Sequence, residues 1–277
     1  MTVSTTRIAH RHGRAERSVL ADEARRPFLS GAVVELGVLV GLFVVYNVVR
    51  ALPAADPRTA IEHAHRVLAL EGPVFQHLEV PLNRWLEATP VLAVAACYYY
   101  AALHYVMTPA VLLLSRHRGG PSYARAYWTL VLASALALVG YALYPTAPPR
   151  LVPDLGIVDV MRSYADHGWW GSAASAPRGI GDATNQFAAM PSMHVGWALW
   201  CAIQMWGFGR PAWKALAVAY PSILVVVVLA TGNHFLLDVV AGAACVVVAH
   251  VAVGIILRLR ESRPAHNGVR MTRQRSG

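Results

Sequence analysis

Apolar residues in this chain run in long unbroken blocks, not in the short periods of soluble helices and strands. Six blocks, at 31–49, 90–114, 125–144, 191–208, 212–231 and 234–257, are about as long as the roughly 18 to 20 residues that cross a bilayer core as a helix. Residues 54–89 are mixed. From Ile61 to Val80, Glu, His and Arg alternate with Leu, Val and Phe at helical spacing, which predicts a helix lying in the membrane interface. Residues 145–189 are the longest stretch without a span and are rich in Gly, Pro, Ser and Ala, the make-up of a lid or binding loop. Trp169 and Trp170 are expected to anchor that loop at headgroup level. The predicted fold is therefore all-α: a polytopic membrane bundle of about six transmembrane helices, with an interfacial helix and a long non-cytoplasmic loop.

The polar ends divide the chain into a basic segment 1–27, a membrane domain 28–257 and a basic tail 258–277, with no internal repeat. No small-residue cleavage site follows the first block, so it is read as a retained span rather than a signal peptide. Composition agrees: the 277 residues are 56% hydrophobic and only 14% charged, whereas soluble domains are about a quarter charged. The net charge of +9 is concentrated in arginines beside the first and last spans. No basic stretch is interleaved with aromatics as a base-stacking surface requires, which argues against a nucleic-acid partner. Cys97, Cys201 and Cys245 all sit in apolar blocks, without CxxC spacing, and read as small hydrophobes.

Seventeen of the 24 Lys and Arg residues fall in the two ends and in the connections near 115–125 and 208–214. The positive-inside rule then puts both termini in the cytoplasm. The protein is expected to be integral to a membrane, taken as the plasma membrane, with its polar motifs on the non-cytoplasmic face.

Three such motifs carry chemistry. His234 and Asp238 stand four apart at the start of the last block, on one helical face. A carboxylate beside an imidazole suits a nucleophile or a base, and it equally suits a helix cap. His194 follows Pro191 and Ser192 at the start of another block, where free backbone N–H groups and the helix dipole favour an anion; the plainer reading is an interfacial histidine behind a helix-starting proline. Arg150 closes a proline-rich exit from the third block, where its guanidinium can grip two phosphate oxygens or snorkel at the headgroups. A third reading joins His194, His234 and Asp238 as a two-histidine, one-carboxylate metal triad. A fourth is a lipid-binding or transport protein without chemistry.

Together the motifs resemble the type 2 phosphatidic acid phosphatase superfamily, and within it the inositol phosphorylceramide synthase-like branch. The resemblance rests on Phe187-Ala188-Ala189-Met190-Pro191-Ser192-Met193-His194 and on His234-Phe235-Leu236-Leu237-Asp238, behind Pro145-Thr146-Ala147-Pro148-Pro149-Arg150. It implies a metal-independent membrane enzyme without a cofactor, acting on a lipid phosphate or phospholipid headgroup, phosphoinositol included. It also implies that His234 attacks phosphorus, Asp238 orients it, and His194 protonates the leaving alcohol. Arg150 and the amides of Ser192 and Met193 are then expected to hold the phosphoryl oxygens. Leu143 and Val228 stand where the phosphatase branch has a lysine and a second arginine, and the chain's only lysine is Lys214. Arg162 and Arg178 in the long loop are the further candidate cations, and Asp182 is a candidate headgroup contact. His63, His65 and His77 are expected to face solvent or headgroups. Tyr98 to Tyr100 and His104 are expected to pack between helices or line the substrate groove. Oligomeric state and the choice between water and an alcohol as acceptor are left open.

Overall fold

A computed structural model describes residues 31, 33–42, 44, 45, 56–170 and 186–262. The chain divides into two units, Met1–Ala51 and Leu52–Gly277. Within the first, the described part is an apolar helix, α1 (Val33–Leu42).

The second unit is helical, and among the described residues its β structure amounts to one isolated bridge between Thr146 and Ala188. Its helices are α2 (Pro57–Glu71), α3 (Val80–Glu87), α4 (Pro90–Arg118), α5 (Gly120–Leu143), α6 (Val160–Ser163), α7 (Met193–Gly207), α8 (Pro211–Ala230) and α9 (Leu236–Glu261). Proline at the first helical position starts α2, α4 and α8, where a missing N–H costs no hydrogen bond. Gly119 and Gly120, both at positive φ, reverse the chain between α4 and α5.

Four helices, α4, α5, α8 and α9, are long and apolar enough to cross a membrane. The block at 191–208 differs from expectation: α7 has 15 residues, about 22 Å at 1.5 Å per residue, and falls short of the hydrocarbon thickness. It is short because Pro191 and Ser192 remain extended and belong to the site, not to the helix. The bundle packs inward on Val239, Gly242, Val246, Ala249 and Val253 of α9, while Val240, Val247, Val248, Val251 and Ile255 point out. Such an outward apolar stripe is an interaction hazard in water and the normal lipid-facing surface of a membrane helix. Trp200 is fully buried between helices, with its Nε1–H donating to the Ala126 carbonyl at 2.8 Å.

The interfacial segment is two helices, not one. Gly72, at φ 50°, ends α2, and a π-helical turn at Phe75–Glu79 leads into α3. The long segment after α5 is described over 145–170 and 186–189. It carries 3₁₀ turns at Pro149–Leu151 and Ala165–His167 as well as α6. Trp170, expected at the headgroups, is fully buried and donates to the Met161 carbonyl at 3.0 Å. An indole in the core satisfies its single donor there and has no reason to snorkel.

Candidate active site

Three chain segments meet where α5, α7 and α9 have their site-facing ends. The exit from α5 pairs with the strand leading to α7: Thr146 N–H donates to Phe187 O at 2.7 Å, and Ala189 N–H to Thr146 O at 3.2 Å. The same exit is tied to the α8–α9 turn, because Arg150 N–H donates to Gly232 O at 3.0 Å. Gly232 takes a positive φ of 69°, and a Cβ there would fall 2.6 Å from Ile157 Cγ2. After this turn the N–H groups of Asn233 and His234 both return to the Val228 carbonyl, at 3.1 and 3.3 Å. The second segment is pinned by close approach. A Cβ on Gly242 of α9 would lie 2.1 Å from Ser192 O, and one on Gly140 of α5 would lie 2.8 Å from Pro191 Cδ. Backbone contact this tight is available only to glycine.

His234 is buried, and its Nδ1 lies 2.9 Å from Ala189 O and 3.5 Å from Asp238 Oδ2. A carbonyl can only accept, so the proton sits on Nδ1 and the lone pair on Nε2. Asp238 was expected to hold this ring alone; the nearer partner is the Ala189 carbonyl. Asp238 Oδ2 also accepts from Phe235 N–H at 2.9 Å, so one carboxylate caps α9 and faces the imidazole.

His194 lies beside His234, with ring centroids 5.7 Å apart. It stacks on Tyr100 at 4.2 Å and meets the edge of His104 at 4.6 Å. The Nε2 atoms of His194 and His234, Ser192 Oγ and Asp238 Oδ1 are buried without a hydrogen-bond partner. Four such atoms on His194, His234, Ser192 and Asp238 are polar groups whose hydrogen-bonding capacity the described residues leave unmet. No side chain caps the start of α7, which leaves its first N–H groups and positive dipole end available around Met193. The Ser192 amide, expected at the phosphate, donates instead to Asp238 O at 2.9 Å. What Ser192 offers is its hydroxyl.

Arg150 does not snorkel. Its side chain is 3% exposed, with Nε–H donating to Asn233 Oδ1 at 2.9 Å and Nη1 paired to Asp159 Oδ2 at 3.0 Å. Two of its five N–H donors are engaged in these contacts. Arg162, the other described loop candidate, is exposed, and its own backbone N–H is held by Asp159 Oδ1 at 3.0 Å. Arg178 and Asp182 lie outside the described residues. Leu143 points outward, 77% exposed, and Val228 is fully buried, so neither family cation position is refilled by its neighbour in sequence. Among the described residues no cluster of three or more His, Cys, Asp or Glu side chains is arranged to hold a metal ion.

Glu71 and Glu79 are buried beneath the start of α9, where they accept from the N–H groups of Leu237 and Leu236. With Asp238 on Phe235, three carboxylates cap three successive donors of one helix end. Burial first, and the neighbouring Glu71 carboxylate second, push the Glu79 carboxyl up to about 9; burial likewise raises Glu71. Glu71 continues the buried stripe Ala60, Ala64, Val67, and a carboxylate on an apolar stripe is the signal by which the sequence reveals it. Tyr100 and His104 continue the stripe Ala93, Ala96 and Cys97 in the same way. His63 is half-buried, stacked on Tyr144 at 3.9 Å with Nδ1 2.8 Å from Pro145 O, whereas His65 and His77 are exposed as expected.

A helical bundle with paired imidazoles, an arginine and an uncapped helix start at one end is a membrane protein built to handle an anion. The family model of the PAP2 superfamily matches residues 65–252, and the chain belongs to that superfamily. Membership brings the class of lipid phosphatases and phosphotransferases. Comparison with curated proteins and with solved structures found no match.

Proposed function

We propose that the protein transfers a phospho-headgroup between lipid alcohols through a phosphohistidine on His234. The observation that carries this reading is the pair of unpartnered Nε2 atoms on adjacent rings, one with its lone pair fixed by the Ala189 carbonyl. In the first step the His234 Nε2 lone pair forms the N–P bond while the P–O bond to the leaving alcohol breaks, and His194 gives that oxygen its proton. In the second, His194 takes the proton of the incoming hydroxyl, whose oxygen attacks phosphorus and expels His234. Arg150 and the free N–H groups at the start of α7 hold the non-bridging oxygens, where charge is spread in the transition state.

The charge balance supports a phosphodiester over a phosphomonoester. Arg150 is partly neutralised by Asp159, and the positions of a further lysine and arginine hold Leu143 and Val228. A phosphodiester carries one negative charge and needs fewer cations than a phosphomonoester dianion. Phosphoinositol is a headgroup of this class. The active face is read as non-cytoplasmic from the arginine distribution.

The test is the purified protein in detergent with labelled lipid phosphates and phosphodiesters, resolving free phosphate, free headgroup and headgroup-bearing lipid product. Headgroup transfer is expected, surviving exhaustive chelation, with a trapped phosphoryl group lost in His234→Ala and turnover reduced on the order of a thousandfold or more. Full turnover in that variant would overturn the mechanism, and free phosphate as the sole product would make the protein a phosphatase.

A further inference from the structure

The structure assigns a second anion site at the end of the bundle opposite the histidines, and we propose that it binds the phosphate of an anionic phospholipid. A cavity of about 350 Å³ opens between the first turn of α5, the last turns of α7 and the C-terminal third of α9. Arg125, Arg258 and His250 line it, with Gln204 as a neutral hydrogen-bonding group and Glu261 as its one carboxylate. From Asp238 to Arg258 is 20 residues of α9, about 30 Å along the helix, which is the thickness of the hydrocarbon core. The cavity therefore lies at headgroup level on the other membrane face.

Its chemistry is specific. The Arg125 guanidinium lies against Gly254, where a Cβ would fall 2.8 Å from Nη2, so the glycine leaves the notch it occupies. Nη2 donates to the His250 carbonyl at 3.4 Å, tying α5 to α9. Arg125 Nε and His250 Nδ1 are buried with no hydrogen-bond partner among the described residues. An unmet guanidinium N–H and an imidazole nitrogen that donates in its Nδ1–H tautomer, both on side chains lining the cavity, give phosphodiester oxygens partners that neutral lipid tails cannot use. Arg258 is exposed at the rim and adds a second charge. Ala126 and Leu257 form apolar wall, suited to glycerol and the first methylenes of the acyl chains.

Inorganic phosphate shares this chemistry but lacks the apolar half. The site is independent of the phosphoryl chemistry proposed for the other end, and Arg125 and Arg258 take no part in that chemistry. Native mass spectrometry of the full chain, titrated with phosphatidylglycerol, phosphatidylcholine or inorganic phosphate, tests it. We expect one phosphatidylglycerol to bind in preference to phosphatidylcholine, undisplaced by millimolar phosphate. R125Q/R258Q should weaken that site by roughly twenty-five-fold, taking roughly fivefold per surface cation. R125K/R258K should recover most of the affinity, which a folding defect at Arg125 would not allow. Unchanged phosphatidylglycerol affinity in R125Q/R258Q overturns the site, and full displacement by inorganic phosphate overturns the lipid as its occupant.

Discussion

His234 divides its duties between its two ring nitrogens, and the division is made by a backbone carbonyl. Because Ala189 O accepts from Nδ1–H at 2.9 Å, the lone pair stays on Nε2 whatever Asp238 does. The carboxylate, 3.5 Å away, supplies field rather than tautomer. Arg150 is positioned in the same indirect way, by the Asn233 amide that directly precedes His234. A hydrogen bond to a charged group is worth about 1.5–3 kcal/mol, so Asn233→Ala should lower kcat/KM by roughly ten- to a hundredfold. His234→Ala is the contrasting case, since it removes the proposed phosphoryl acceptor itself. An Asn233→Ala enzyme with unchanged kcat/KM would show that Arg150 needs no such support. The motif residues were legible in the sequence, because histidine, arginine and aspartate at span ends are conspicuous. Ala189 was not, since a carbonyl has no sequence signature.

At the scale of elements, α2 and α3 exist to hold the start of α9. A helix end in a membrane protein must have its first N–H groups satisfied internally, and Glu71, Glu79 and Asp238 do this from three places in the chain. Burial first, and the neighbouring Glu71 carboxylate second, push the Glu79 carboxyl up to about 9. The folded-state value is raised, so the folded chain binds a proton that the unfolded chain releases near the ordinary carboxylate range. Glu79's contribution to stability should therefore be full at acidic pH and be lost as pH rises toward 9. Glu79→Gln cannot titrate. Its melting temperature relative to wild type should rise steadily between pH 5 and pH 9, with the histidines common to both proteins cancelling. A pH-independent difference would mean that Glu79 is ionised in the folded protein. The mixed pattern of residues 54–89 located these helices in sequence, but read them as one interfacial helix, because the break at Gly72 and the burial of the glutamates are set by α9.

Within the second unit, two polar ends are separated by an apolar middle about one bilayer thick. The histidine end and the Arg125–Arg258 end lie at opposite termini of α5 and α9, and the arginine count predicts the latter in the cytoplasm. In a cysteine-free background, a membrane-impermeant maleimide should label Pro153→Cys in intact cells and Arg210→Cys only after permeabilisation. Both positions are exposed, in the connections after α5 and before α8. The reverse pattern would invert the assigned topology.

The sequence by itself determined the class of the molecule and named the candidate groups of its site. Long apolar blocks can only be stable in lipid as helices, and ionisable residues at their ends are too costly to be incidental. Tertiary structure alone decided how those groups are used. It shortened the 191–208 block to α7, drew Trp170 into the core, turned the Ser192 amide to Asp238, and gave Asp238 two partners. It also brought Tyr100 and His104 against His194, and Glu71 and Glu79 under α9. Each of these depends on which backbone carbonyl, N–H or ring comes from a segment far away in the chain. No local pattern encodes that choice, because it is made when the glycine contacts at Gly140 and Gly242 fix where the segments meet.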